Sequence, residues 1–193
     1  MKFVLGVLGV ILVVLLAIIL ITRGGNREPA IRPVVVSEEA REGVSAVFTT
    51  RGKLVGQDER RAIRISVNQD ERRLEILSGY EEAVERAQVY PNTHAAFENF
   101  LIAMDLLGYN RSRVSSIEDE RGACPTGKTD IYELKEYSQQ MVRLWDSSCG
   151  GKLGTMAGSD ATIRKLFEEQ IPDYSKQIKD VDLYGARPQT DTE

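Results

Sequence analysis

Ala62-Ile63-Arg64-Ile65-Ser66-Val67, then Asn68-Gln69-Asp70-Glu71, then Arg73-Leu74-Glu75-Ile76-Leu77: two alternating runs joined by four residues of turn chemistry. Alternation at period two turns one side of an extended strand to a core and the other to water. A polar link this short between two such runs specifies an antiparallel hairpin. Towards the N-terminus, Val44, Ala46 and Phe48 repeat the pattern and extend the hairpin to a meander.

Towards the C-terminus, Ala83 to Tyr90 reads as a further short strand, with a helix through Tyr80 to Glu85 as its rival. Pro91 and Asn92 break the chain. Ala96, Phe97, Phe100, Leu101, Met104 and Leu107 then fall on one helical face, with Asn92 or Thr93 to cap its start and Gly108 to stop it. That stripe needs a partner, and the sheet offers a face. Beyond a charged loop from Asn110 to Arg121, Ile131, Tyr132 and Leu134 form one apolar run and Met141, Val142, Leu144 and Trp145 another. Ser138-Gln139-Gln140 is the expected turn between them, and a continuous helix is the alternative. Gly150, Gly151, Gly154 and Gly158 mark a loop before a short helix opened by Ser159 or Asp160, running through Ile163, Leu166 and Phe167 and stopped by Pro172. The expected fold class is α+β: one antiparallel-sheet domain over residues 44–174, packed by two helices, Thr93 to Leu107 and Asp160 to Ile171, with a polar tail at 175–193.

The N-terminus has a different character. Phe3 to Ile21 carries no charge, and a helix of that length spans about 28 Å, close to the hydrocarbon thickness of a bilayer. Leu20-Ile21-Thr22 lacks the small-residue pattern of a cleavage site, so residues 1–22 read as an uncleaved, single-pass transmembrane anchor whose partner is the lipid bilayer through residues 3–21. Gly24, Gly25, Pro29 and Pro33 open a stretch without periodicity, read as a flexible linker over residues 23–43. Lys2 on one side and Arg23, Arg27 and Arg32 on the other mildly favour a cytoplasmic domain. Cys124 and Cys149 argue the opposite: as the only two cysteines they suit one disulfide in an oxidising compartment, which places the domain outside the cell membrane.

Composition excludes several functions. The 193 residues carry 25 Lys and Arg against 29 Asp and Glu, a net charge of -4, so no basic stripe exists to neutralise phosphates and no nucleic-acid partner is expected. The single histidine argues against a histidine metal cluster or a Ser-His-Asp triad, and no metal or cofactor is expected. Gly122-Ala123-Cys124-Pro125-Thr126-Gly127-Lys128-Thr129 satisfies the phosphate-loop pattern, in which Gly122, Gly127, Lys128 and Thr129 would cradle an anion. The polar, acidic run Ser115 to Arg121 stands where a buried strand should precede such a loop, so a cysteine-containing turn is the preferred reading. A thiol site of Cys149, His94 and Arg164, serving a surface transpeptidase or hydrolase, is the second alternative, and a disulfide would remove its nucleophile. Trp145 and Tyr132 are candidates for a binding surface.

Gly122-Ala123-Cys124-Pro125-Thr126-Gly127, Tyr132-Glu133-Leu134, Leu144-Trp145-Asp146-Ser147-Ser148-Cys149-Gly150 and Leu166-Phe167-Glu168-Glu169-Gln170-Ile171-Pro172 together resemble an uncharacterised group of membrane-anchored envelope proteins of candidate-phylum bacteria such as Saccharibacteria. The resemblance extends loosely over Val44 to Tyr174 and implies the paired cysteines and an outside location, with no catalytic residue to carry across. The expected function is noncatalytic: an extracytoplasmic binding or structural domain of the cell envelope, whose partner is an envelope protein or surface ligand.

Overall fold

The structure, a computed structural model, describes residues 35–117, 119–150 and 153–183. Its centre is a six-stranded antiparallel sheet in the order β4-β3-β2-β1-β5-β6, formed by β1 (Val44–Arg51), β2 (Arg61–Asn68), β3 (Glu71–Ser78), β4 (Ala83–Pro91), β5 (Thr129–Glu136) and β6 (Gln139–Ser147). The α+β class and the meander are as expected. Ala83 onward is a strand and not a helix, and both downstream apolar runs are strands. The last hairpin turns at Tyr137 and Ser138, so Gln139 and Gln140, expected in the turn, already belong to β6.

Local chemistry sets the hairpins. Asn68 Oδ1 accepts from the backbone N–H groups of Asp70 and Glu71 at 2.8 Å each, which closes the β2–β3 turn and fixes the register Ile65 opposite Leu74. That register places Phe48, Ile65, Leu74, Tyr132 and Leu144 in one row across five strands. All five are buried on the core face. Pairing of β1 with β5 inserts the second half of the chain beside the first strand.

Helix α1 (His94–Leu106) covers this face with Phe97, Phe100, Leu101 and Met104. Thr93 Oγ1 caps it by accepting from Ala96 N at 3.2 Å. Helix α2 (Asp160–Glu168) adds Ile163 and Phe167, and the chain turns on to a buried Ile171 before Pro172. Phe167 joins the layers: its ring lies 5.6 Å from Phe48 and 5.1 Å, edge-on, from Phe100. Such aromatic contacts contribute about 0.5–1.5 kcal/mol each beyond burial.

Both ends of the predicted domain reach further than the sequence reading placed them. Val36 opens a short 3-10 turn, is fully buried, and packs with the α1 side chains in the same core, while Ser37 Oγ donates to Asp105 at 3.1 Å. Residues 35–43, expected in the linker, therefore belong to the body. Helix α3 (Tyr174–Gln177) begins a segment, assigned to a polar tail, whose Ile178, Val181 and Leu183 pack against the core. Arg86, which donates to both Asp180 carboxyl oxygens and to the Gln177 carbonyl, also holds it. Among the described residues no helix is long and apolar enough to cross a membrane. The predicted span, residues 3–21, lies outside the described residues.

Candidate functional site

The cysteines sit at the end of the sheet where β1 finishes. Antiparallel pairing sets Thr129, the first residue of β5, opposite Ser147, the last of β6, so the segments flanking the hairpin emerge side by side. Cys124 and Cys149 bridge them in a disulfide with Cα atoms 5.5 Å apart, and no free cysteine remains among the described residues. Gly127 makes the closure possible: a Cβ there would lie 2.6 Å from Cys124 Sγ. Ser148 Oγ accepts from Lys128 N at 2.8 Å and seats the turn.

This geometry corrects the phosphate-loop alternative. Gly122, Gly127 and Lys128 lie on a turn that leads into strand β5, whose first residue is Thr129, whereas a phosphate cradle must open a helix whose amides converge on the anion. The glycine that would approach a phosphate approaches sulfur. The thiol alternative is not assembled either. Cys149 is bonded to Cys124. His94 follows Pro91 at the opposite end of the sheet, where Pro91 pairs with Glu71; a strand the length of β1 separates the two ends by about 24 Å. Tyr132 and Trp145 are 0% and 3% exposed, so both are core residues and not a binding surface: alternation aims them at opposite faces of the sheet, and both faces are covered at that level.

Arg164 has another partner. Its Nη1 donates to Asp130 Oδ2 at 2.9 Å, and its Nη2 lies 3.8 Å from Asp160 Oδ2 one helical turn away. Tyr132 OH donates to Asp160 Oδ1. Asp130 and Tyr132 are two apart on β5, and Asp160 and Arg164 four apart on α2, so each period delivers two groups to the same place. Burial pushes the Asp130 carboxyl above its ordinary value and the Tyr132 phenol well above its own. Asp146, opposite Asp130 on β6, and Glu168 are also held above the usual carboxylate range by burial. The arrangement ties helix to sheet by charge. No cluster of metal-ligating side chains occurs among the described residues.

The other face carries a ladder of ion pairs that the sequence reading missed. Glu75 meets Arg64 at 3.6 Å, Arg64 meets Glu82, and Glu82 meets Arg51 at 2.5 Å. Arg51 meets Glu120 at 3.2 Å, Glu120 meets Arg143, Arg143 meets Glu133 at 3.5 Å, and Glu133 meets Lys135 at 3.0 Å. Four cations and four carboxylates thus alternate across the sheet. Glu82 reaches two arginines from a left-handed backbone, φ 52°. A signal for part of this was present: Arg64, Glu75, Glu133 and Arg143 hold the non-core positions of their strands. Glu82 and Glu120 come from turns and carried none.

Comparison with known protein families, with curated proteins and with solved structures finds no match.

Proposed function

We propose that this chain is a membrane-anchored, extracytoplasmic binding or structural domain of the cell envelope. The observation that carries the reading is the Cys124–Cys149 disulfide, which brackets the β5–β6 hairpin. Such bridges form and persist in oxidising compartments and are rare in reducing ones. The uncharged run from Phe3 to Ile21 supports attachment to a bilayer. The bonded state of Cys149 and the strand that follows Lys128 favour binding or support over the two enzymatic alternatives.

Alkylating freshly harvested native material without reduction, followed by mass spectrometry of the full chain, tests this reading. The expected result is an unmodified Cys124–Cys149 peptide pair and cleavage of the domain by protease added to intact cells. Two alkylated thiols, or a domain protected in intact cells and cut only after lysis, would overturn it.

A further inference from the structure

At the Arg51 end of the sheet, on the face that bears the ion-pair ladder, lies a cleft of about 100 Å³ lined by Arg51, Leu54, Arg60, Tyr80, Glu120 and Gly122. Arg60 is only 7% exposed. Its guanidinium carbon lies 4.3 Å from the centre of the Tyr80 ring, and its Nε is fully buried without a hydrogen-bond partner. Among the described residues it makes no ion pair. Its cleft neighbour Arg51 is bound by Glu82 and Glu120, and Arg121, at the rim, by Asp119 at 2.5 Å. A buried guanidinium that lacks a counter-charge is costly unless something supplies one.

The surroundings are braced by hydrogen bonds within the chain. Tyr80 OH donates to Val55 O at 2.8 Å, and Tyr80 N donates to Gln57 Oε1 at 3.1 Å. Leu54 N donates to Pro125 O at 2.9 Å, and Gly79 N to Arg60 O at 3.0 Å. The aromatic wall and the loop carrying Arg60 are therefore fixed before any ligand arrives, which reduces the ordering cost of binding.

We infer that this cleft binds a single carboxylate group, held by the Arg60 guanidinium against the Tyr80 ring. One uncompensated positive charge matches one negative charge, and the planar fork of arginine matches the two oxygens of a carboxylate. Glu120, on the wall of the same cleft, opposes a second negative charge and so disfavours a phosphate dianion. Leu54 and Tyr80, each 46% exposed, offer apolar surface beside the anion, which suits a carboxylate on an apolar body, such as a peptide C-terminus. This inference deepens the binding-domain reading and rests on it for its setting, while its test is independent of the disulfide.

The test follows the Arg60 Nε–H resonance in ¹⁵N-arginine-labelled full-length protein in nanodiscs, titrated separately with acetate, inorganic phosphate at pH 8 and chloride. Acetate is expected to shift that resonance saturably, phosphate at least tenfold more weakly, and chloride without saturation. Arg60→Gln should abolish the acetate response. Tyr80→Leu, at a half-exposed position that leaves the core intact, should weaken acetate about threefold, because it removes both the ring over Arg60 and the hydroxyl bond to Val55 that fixes this wall. Lys165→Gln, at an exposed position of α2 that does not line the cleft, should leave it unchanged. Absence of a saturable acetate shift in the unmodified protein, tighter binding of phosphate, or an equal response to chloride would overturn the inference. Acetate binding together with free native thiols would sink the envelope placement alone, and an intact bridge without acetate binding would sink the carboxylate site alone.

Discussion

Lys53 N donates to the carbonyl of Leu183 at 3.0 Å, fastening the segment after α3 to the point where β1 leaves the sheet. The neighbouring residue decides whether this contact survives. A Cβ on Gly52 would overlap the Leu183 carbonyl oxygen and lie 3.1 Å from the carbonyl oxygen of Arg61, and neither backbone atom can swing aside as a side-chain tip would. Gly52→Val is therefore expected to release residues 178–183 and to cost about 1–3 kcal/mol. Faster hydrogen exchange at Lys53, with unchanged exchange in the central strands, checks this.

The disulfide closes a loop of sequence separation 25. In the chain-entropy model a loop of that size constrains the unfolded chain by about 3.5 kcal/mol. Reduction, or the double change Cys124→Ser with Cys149→Ser, is expected to lower the urea midpoint by a corresponding amount, with the largest loss of exchange protection at the Thr129 and Ser147 ends of β5 and β6. An unchanged midpoint would show that the bridge does not stabilise the domain.

Glu120 joins the two halves of the ion-pair ladder because, among the described residues, it alone meets both Arg51 and Arg143. Its side chain is 10% exposed. Glu120→Gln keeps the shape and removes the charge, leaving two guanidinium groups short of a partner, at an expected cost of about 1–3 kcal/mol. The partly exposed pairs are screened by salt, so the difference between the two proteins in urea unfolding should narrow from low to high sodium chloride.

Burial raises the Asp130 carboxyl above its ordinary value. The native state then holds that proton more tightly than the unfolded chain does. This group's contribution is accordingly least favourable above its native midpoint, and stability rises as pH falls from that midpoint towards the unfolded value of about 3.9. Asp119 works in the opposite sense: its bonds to Arg121 hold its carboxyl down at about 2, so its contribution is present above about pH 4 and is lost as pH falls towards 2. Carboxyl ¹³C titration should place the Asp130 midpoint above that of an exposed aspartate. Asp130→Asn should abolish the Asp130 part of the pH dependence and, by stripping Arg164 of its closest partner, cost on the order of 3 kcal/mol at pH 7.

Strand positions in the sheet were legible where one side of a strand is polar. Arg64 and Ser66 between Ile63, Ile65 and Val67 left no other reading, and the Thr93 cap and the stripe from Phe97 to Met104 defined α1 in the same way. Legibility failed where partners lie far apart in sequence. Val36 looks like a linker residue until α1 packs with it, and Leu183 looks like a tail residue until it meets Lys53. The candidate site was readable only at the cysteines. Tyr132 and Trp145 drew attention as aromatics, but composition cannot distinguish a buried ring from an exposed one. Arg60 lay within a charge run, Asp58 to Arg61, which in sequence reads as a solvated turn; its burial under Tyr80 depends on a loop closing over the sheet end.

The covalent bracket around the last hairpin also sets a mechanical limit. If the two ends of the chain are pulled apart, everything between Cys124 and Cys149 stays shut inside its loop, and the extended contour is shorter by roughly 85 Å at about 3.4 Å per residue. Tension therefore bypasses β5 and β6 and reaches the sheet first through β1 and its flanking segments. The hairpin can rotate or detach as a unit, yet pulling does not extend it until sulfur is reduced.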